Sequence, residues 1–380
     1  MSYYNTQLYI VLLTLSFLVG KRLKLNVILS SILVYILLFF SLDVLEYKFD
    51  VKIWDQTERT SNCYDWFEQY LEKDYDRNKD YSEGVFEDNY KMSLQEATEN
   101  KYKYVFEKLE LKPGMKLLDA GCGTGVWMKY CKDRGVDVIG LTLSEEQAKK
   151  VKEKGLEVYV MDYRKFNPSF VNTFDRITAL GSSEHVCKSQ GSMTGNFSKA
   201  KERCIDQRIK TWNIFNQYLK PKNETKDGYK AKAYITMLTS NQNAKWSIYD
   251  YLQCYILERH YGGYYSTMDD IVDHVIPKTG FKISDVQDKT KDYHWSSYAD
   301  PDHFGRYYTK WGQDSLNKIT YFFKGLILDP FLPHHWAYYF MDTWMWQFKA
   351  DFCPNCKPMT DKQLLDSPML LKYFMLEKTE

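Results

Sequence analysis

The residues best suited to chemistry lie in one short run, Leu118-Asp119-Ala120-Gly121-Cys122-Gly123-Thr124-Gly125. Three glycines at alternate positions let a ligand come close to the backbone, because no Cβ stands in its way. The spacing is G-x-G-x-G, unlike the G-x-G-x-x-G of dinucleotide loops, and an aspartate stands two residues before the first glycine. Cys122, inside the loop, reads as a small packing residue, not a nucleophile. Cys353-Pro354-Asn355-Cys356 has the spacing of a metal hook, but a zinc site needs two more ligands. Only His334-His335 could fold back to supply them, so the pair reads as ordinary thiols and no metal is expected.

A loop of this kind needs a strand before it and a helix after it. Lys116–Ala120 has the apolar content of a short strand, and Val126–Arg134 reads as a helix ending near Gly135. Val136–Gly140 is the next strand. Ser144–Lys154 is a helix with Ser144 as its cap and Gln147 three residues on. Leu156–Val160, Phe174–Leu180 and Lys232–Leu238 add strands, with a helix at Lys210–Leu219. Strands alternating with helices of about ten residues imply a parallel sheet with crossovers. Upstream, residues 93–110 place Leu94, Ala97, Tyr104, Val105 and Leu109 on one helical stripe, and the Tyr-rich stretch from Glu46 reads as a lid.

The first 42 residues differ from the rest. Ser2–Gly20 is uncharged, Lys21-Arg22-Leu23-Lys24 follows, and Leu25–Leu42 is again free of charge. The second run, at 1.5 Å per residue, is about 27 Å long as a helix, near the bilayer's hydrocarbon thickness. It reads as a transmembrane or membrane-inserted segment, and the first run as one that spans, re-enters or lies flat. Ile319–Phe348 is also strongly apolar, but Asp329-Pro330 and Pro333 split it into two helices too short to span. The division expected is 1–45 membrane anchor, 46–110 lid and helical region, 111–290 core, and 291–380 C-terminal substrate-side and packing helices. With 51 basic against 50 acidic residues, no nucleic-acid partner is expected. Eight cysteines at this length show no secreted disulfide framework, which favours a reducing compartment.

The glycine loop and its leading aspartate resemble motif I of the Rossmann-like class I methyltransferases. That resemblance implies an α/β fold with a doubly wound seven-stranded sheet and S-adenosylmethionine (SAM) as cofactor. Gly140-Leu141-Thr142-Leu143-Ser144-Glu145-Glu146-Gln147 is similar to a G-V-T-L-S-x-x-Q signature of the cyclopropane-fatty-acid and mycolic-acid synthase family. Asp162-Tyr163-Arg164, Phe174-Asp175-Arg176-Ile177, Glu184-His185-Val186, and His303-Phe304-Gly305-Arg306 with Trp311 add to the likeness. The resemblance assigns Tyr81 and Ser82 to the cofactor's carboxylate, and Asp119, Gly121, Gly123 and Gly125 to the loop. Thr142, Leu143 and Gln147 go to the nucleoside, with Asp162 and Tyr163 completing the set.

The family discharges a carbocation onto bicarbonate held by a Cys, a Glu, a His and a Tyr. Here those positions read Glu83, Glu184, about Ile235, and Phe304, with His260 or His294 able to approach the same space. Only the Glu survives, and a second carboxylate would repel an anion. The fungal sphingolipid C9-methyltransferases offer a closer architectural parallel, with N-terminal hydrophobic segments and a Tyr-Asp-Trp stretch like Tyr64-Asp65-Trp66. The resemblance therefore implies methylation of a carbon in an unsaturated lipid chain at a membrane. Glu184 would be the base, Glu83, read as a lid position, a second candidate, and His185 a packed neighbour. The alternatives are an N- or S-methyltransferase of a small soluble molecule, and a scaffold without activity. Because SAM is made in the cytosol, an endomembrane with the catalytic domain on its cytoplasmic face is expected, although the basic loop argues the reverse.

Overall fold

The computed structural model describes residues 82–187, 197–221, 230–247, 264–299 and 358–379, together with scattered residues within 14–22, 57–68, 80, 224–225 and 250. A parallel ladder comes first. Strand β1 is Lys116–Ala120, β2 Asp137–Thr142, β3 Glu157–Val160, β4 Arg176–Leu180 and β5 Lys232–Ser240. Two more strands, β6 (Phe281–Asp288) and β7 (Met369–Lys378), complete a seven-stranded sheet of order β3-β2-β1-β4-β5-β7-β6. Strands β1 to β5 pair in parallel, and β7 runs antiparallel to both β5 and β6.

Both faces of the sheet are covered, as the two-residue period of a strand requires when it is buried on both sides. Leu117 and Val138 face a layer that includes Val105, Leu109, Trp127, Met128 and Val151. Leu118 and Ile139 face the other layer, with Phe174, Trp212, Phe215 and Ile271. The helices that supply these layers include α1 (Leu94–Lys108), α2 (Val126–Lys132), α3 (Glu145–Glu153) and α4 (Phe197–Tyr218). Helix α1 opens with a full capping box between Ser93 and Glu96. Helix α3 is capped by Ser144, whose hydroxyl accepts from the Gln147 amide at 3.0 Å.

The first five strands fall where the alternation of the sequence places them, to within a residue or two. Two stretches differ. Helix α4 starts at Phe197, well before the helix expected at Lys210–Leu219. The C-terminal stretch, read as packing helices, supplies β7, whose Tyr373 and Phe374 are buried between the neighbouring strands. Met369–Lys378 alternates weakly because β7 is buried on both faces, which removes the polar positions that mark a strand. A short helix α5 (Thr290–Ala299) packs on β7, and α6 (Asp361–Leu365) leads into it.

Asp175 and Arg176, matched above to a family motif, serve the fold. Asp175 accepts from the Lys116 amide at 2.8 Å and pairs with Lys220 at 3.0 Å. Arg176, fully buried, donates to the Leu109 carbonyl at 2.7 Å. One disulfide, Cys187–Cys204, departs from the expectation of reduced cysteines. It ties the turn carrying Glu184 to α4, and one such bond among the described residues is not the framework of a small secreted domain. Cys353, Cys356, the Leu25–Leu42 run, Ile319–Phe348 and Phe304 lie outside the described residues. Among the described residues no helix is long and apolar enough to cross a membrane. Leu15, Phe17, Leu18 and Val19, in the first hydrophobic run, are helical and exposed.

Candidate active site

The glycine loop sits at the carboxyl edge of the sheet, between β1 and α2, where doubly wound folds bind their ligands. The amides of Gly121 and Cys122 both donate to the Leu141 carbonyl at 2.9 Å, which pins the loop against the end of β2. A Cβ at Gly121 would lie 2.5 Å from the Ser182 Cβ, so the loop can approach the end of β4 only with glycine there. At Gly123 (φ +53°) a Cβ would meet nothing within 4 Å. That open space belongs to the cleft. Gly125 differs from the expectation: it does not line the cleft but caps α2, and a Cβ there would press on Val151 at 2.9 Å.

The cleft holds about 1070 Å³ of space, the open solvent at its mouth included. Ser82, Asp119, Gly121, Gly123, Thr142, Leu143, Gln147, Asp162 and Tyr163 all line it, joined by Asp80, Trp127, Ser182 and His185. Nine of the expected cofactor residues therefore share one wall system. Tyr81 lies outside the described residues.

At one end, the Thr142 hydroxyl donates to Gln147 Oε1 at 2.8 Å, and Gln147 Nε2 reaches Glu68 Oε1 at 3.3 Å. Glu68 is buried and also holds Lys150. The Ser144 hydroxyl donates to Asp65 at 2.5 Å, and the Ser61 hydroxyl to the Leu143 carbonyl at 2.7 Å. The stretch read only as a lid thus locks the amide of Gln147 in place. Asp162 is less free than expected: Arg164 forks across it at 2.6–3.2 Å, and Arg164 also donates to Thr57 at 2.7 Å. The Tyr163 hydroxyl donates to the Ser182 carbonyl at 2.7 Å.

At the other end stands a buried charged network. Lys101 of α1, with no exposed side-chain surface, pairs with Asp80 at 2.8 Å and donates to the Ser82 hydroxyl. The Tyr102 hydroxyl and the Ser82 amide also donate to Asp80, at 2.6 and 3.0 Å. Burial alone would raise the Asp80 proton affinity, yet the Lys101 charge and these donors hold its carboxyl down at about 2. Asp119 accepts from Thr178 at 2.8 Å, and burial, with Asp80 nearby, pushes its carboxyl up to about 7. Lys101 and Asp80 were not singled out from the sequence. The signal was present: Lys101 falls on the buried stripe Leu94, Ala97, Val105 at four-residue spacing, where a lysine has no solvent to reach.

Glu184 lies on a tight turn (Ser183–Val186) just after β4. It is buried, and its Oε2 meets no hydrogen-bond donor. Burial first, and then the Glu83 carboxylate, push its carboxyl up to about 8. Arg208 of α4, fully buried, faces the back of the turn and donates to the Ser183 carbonyl at 3.0 Å. Glu83 corrects the reading of an exposed lid position, since it is only 5% exposed and accepts from the Tyr373 hydroxyl of β7. Its loop is clamped by hydrogen bonds from Gly84 to Ser296 (2.9 Å), Val85 to Ala97 (2.8 Å) and Phe86 to Asp292 (3.0 Å). Ile235 is fully buried and carries no polar atom to replace a histidine. His294 is half-buried on α5, and His260 lies outside the described residues.

A doubly wound sheet, a glycine loop at its carboxyl edge, and a cleft open in front of Gly123 define the class I SAM-dependent methyltransferase architecture, and the cleft's residues suit SAM. The sequence profile of the mycolic acid cyclopropane synthetase family matches residues 52–303, more than half of the chain, and the chain belongs to that family. It is 42% identical over 123 residues to a probable fatty acid methyltransferase of Mycobacterium tuberculosis, covering 30% of this chain and 28% of that protein. It is 31% identical over 189 residues to the sphingolipid C9-methyltransferase of Komagataella phaffii, covering 38% of each. The matched stretch thus spans well under half the length of these relatives. The solved mycolic acid cyclopropane synthase CmaA1, complexed with SAH and CTAB, superposes with a TM-score of 0.56 at 18% identity, over 86% of this chain and all of that one. At that identity the likeness is one of fold.

Proposed function

We propose that this protein transfers a methyl group to a carbon of an unsaturated lipid chain, a fatty acyl or sphingoid chain, at a membrane. SAM bound in the cleft would supply an electrophilic methyl group. Adding it to an alkene leaves a positive charge on the chain, which is discharged when a neighbouring carbon loses a proton. The observation that carries the reading is Glu184, buried between cleft residues Ser182 and His185 with a carboxylate oxygen that meets no donor. A carboxyl of proton affinity near 8 is suited to take a proton at near-neutral pH. Glu83, close enough to raise that affinity, favours a positive charge in the site and disfavours an anion there. The chain's own carboxylates therefore take the place of an imported anionic base. A membrane location, with this cleft on the cytoplasmic face, is supported by the two uncharged runs of the first 42 residues and by the cofactor's cytosolic source.

Labelled-methyl transfer into total lipid, followed by mass analysis, tests the proposal. A chain fragment heavier by one methylene supports it. Label in a headgroup or a water-soluble product would point instead to the N- or S-methyl reading, and no label in any fraction to a scaffold.

A further inference from the structure

Arg208 is fully buried on α4, yet among the described residues none of its hydrogen bonds goes to a carboxylate. Its Nη1 donates to the Ser183 carbonyl at 3.0 Å, the Ser183 hydroxyl at 3.3 Å and the Met237 sulfur at 3.1 Å, and its Nη2 to the Cys187 sulfur at 3.4 Å. Its Nε meets no acceptor. A guanidinium out of water without a bonded counter-ion destabilises a fold, and an apolar side chain would fill the space at less cost.

What the arginine holds is the turn that carries Glu184. Ser183 and Cys187 bracket that turn, and residues one helical turn apart on α4 grip both: Arg208 holds Ser183, and Cys204 holds Cys187 through the disulfide. The carboxylate itself is left alone. Glu184 Oε2 meets no donor, although the Arg208 charge is near enough to act on it. Asp80 shows what direct pairing does in the same protein: bonded to Lys101 at 2.8 Å, it is held down at about 2 and cannot serve as a base near neutral pH. An arginine tied to the backbone of the turn supplies its charge without that loss. The other groups facing the pair leave the balance to Arg208. Glu83 adds a second negative charge from the loop before α1, the buried hydroxyls of Tyr163 and Tyr264 keep their protons, and Asp270 is already matched by Lys201 at 2.6 Å. His185 follows Glu184 on the same turn and lines the cleft. Burial brings the Arg208 guanidinium only down to about 10, so it is charged wherever Glu184 titrates.

We infer that Arg208 is the positioning residue of the proposed base: its fork fixes the turn on which Glu184 stands, and its charge lies behind the carboxylate without pairing to it. Arg208 is no part of the cleft wall and acts only through Glu184.

The inference rests on Glu184 being the base, and the test keeps the two apart. Labelled-methyl transfer from SAM into total-lipid vesicles is followed for the full chain from pH 5 to 10. Arg208→Gln removes the charge and keeps a donor for the Ser183 carbonyl. The rising limb of its kcat/KM profile, near 8 in the wild type, should move up by about one unit or more, the scale of an opposite charge withdrawn. Its plateau kcat should fall roughly 10- to 100-fold, as for a misplaced catalytic group, with KM and SAH affinity within about twofold of wild type. Arg208→Lys restores the charge but not the fork, so its limb should return to near 8 while kcat stays low. Glu184→Gln/Arg208→Gln should turn over no more slowly than Glu184→Gln alone, because Arg208 acts through that carboxylate. This double variant leaves no carboxylate without its cation, so it carries the test where Arg208→Gln does not fold. A limb that stays near 8 in Arg208→Gln, or losses that add in the double variant, would overturn the inference and leave Glu184 as the base. A wild-type profile without the limb would overturn the base and the inference with it.

Discussion

The glycine-loop wall of the cleft and the buried carboxylates beside it are built in different ways. The wall around the glycine loop takes its shape from one continuous run of chain, from β1 through β3, with a local contact such as Thr142 with Gln147, and the segment before α1 (Ser61, Asp65, Glu68) braces it from outside. The carboxylate cluster behind the cleft is gathered from far-separated pieces: Glu83 from the loop before α1, Glu184 from the turn after β4, Arg208 from α4 and Tyr373 from the last strand. The Glu83–Tyr373 contact joins residues 290 positions apart. The cluster depends on Glu184, whose proton affinity burial raises, and on the hydrogen bond that holds Glu83.

Five substitutions sharpen that contrast, and the largest effect is expected in the glycine loop. Gly123→Asp puts a carboxylate into the open space of the cleft and should abolish detectable binding of SAH, while stability falls only by the cost of a side chain at φ +53°, about 1 kcal/mol, since no protein atom lies within 4 Å of the new Cβ. Gly121→Asp should abolish binding too, but with lower stability, since its Cβ drives into Ser182. Binding in either variant would contradict the placement of the cofactor. Glu184→Gln should lower turnover by roughly 10²–10⁴ with SAH affinity kept, as loss of a general base requires. Tyr373→Phe removes the donor to Glu83 and should lower turnover about tenfold, the scale of a single buried hydrogen bond, with little change in binding. Gln147→Ala should weaken SAH binding only a few-fold, because a neutral amide contributes little net energy. A loss there larger than that of Tyr373→Phe in turnover would reverse the contrast between the wall and the cluster.

Stability adds a pH test. The Glu184 carboxyl holds its proton more tightly in the folded chain than in the unfolded one, where 4.5 is its ordinary value. The folded state then binds more protons between those limits, so this group costs stability as pH rises from about 4.5 and the cost is complete above about 8. Glu184→Gln should therefore unfold at a higher temperature than wild type at pH 8.5 and at nearly the same one at pH 4. Equal melting at both pH values would mean that the carboxyl is not buried as described.

What was legible in the sequence follows the same division. Strands β1 to β5 and the Ser144 cap are readable because short-range spacing specifies them, whereas most of the cofactor wall is what the family resemblance of its motifs implies. Glu83 was misjudged as an exposed lid residue because nothing near it in sequence announces Tyr373. Strand β7 escaped for the related reason that a strand covered on both faces shows no alternation. Asp65 and Glu68 carried no signal beyond their place in an aromatic, polar stretch; their roles come from Ser144 and Gln147 some 80 residues away. Lys101 was the exception, a charged residue on an apolar stripe that spacing alone could have marked.

The most direct test of the account is the pH profile of kcat/KM on an unsaturated lipid substrate between pH 5 and 10. Glu184 must be ionised to take a proton, so the profile should rise with pH to a plateau with an apparent pKa near 8, the value its burial sets in the free protein. The limb in kcat should lie lower, because the cationic cofactor in the neighbouring cleft favours the ionised carboxylate. A kcat/KM profile that is flat from pH 6 to 9 would contradict Glu184 as the base.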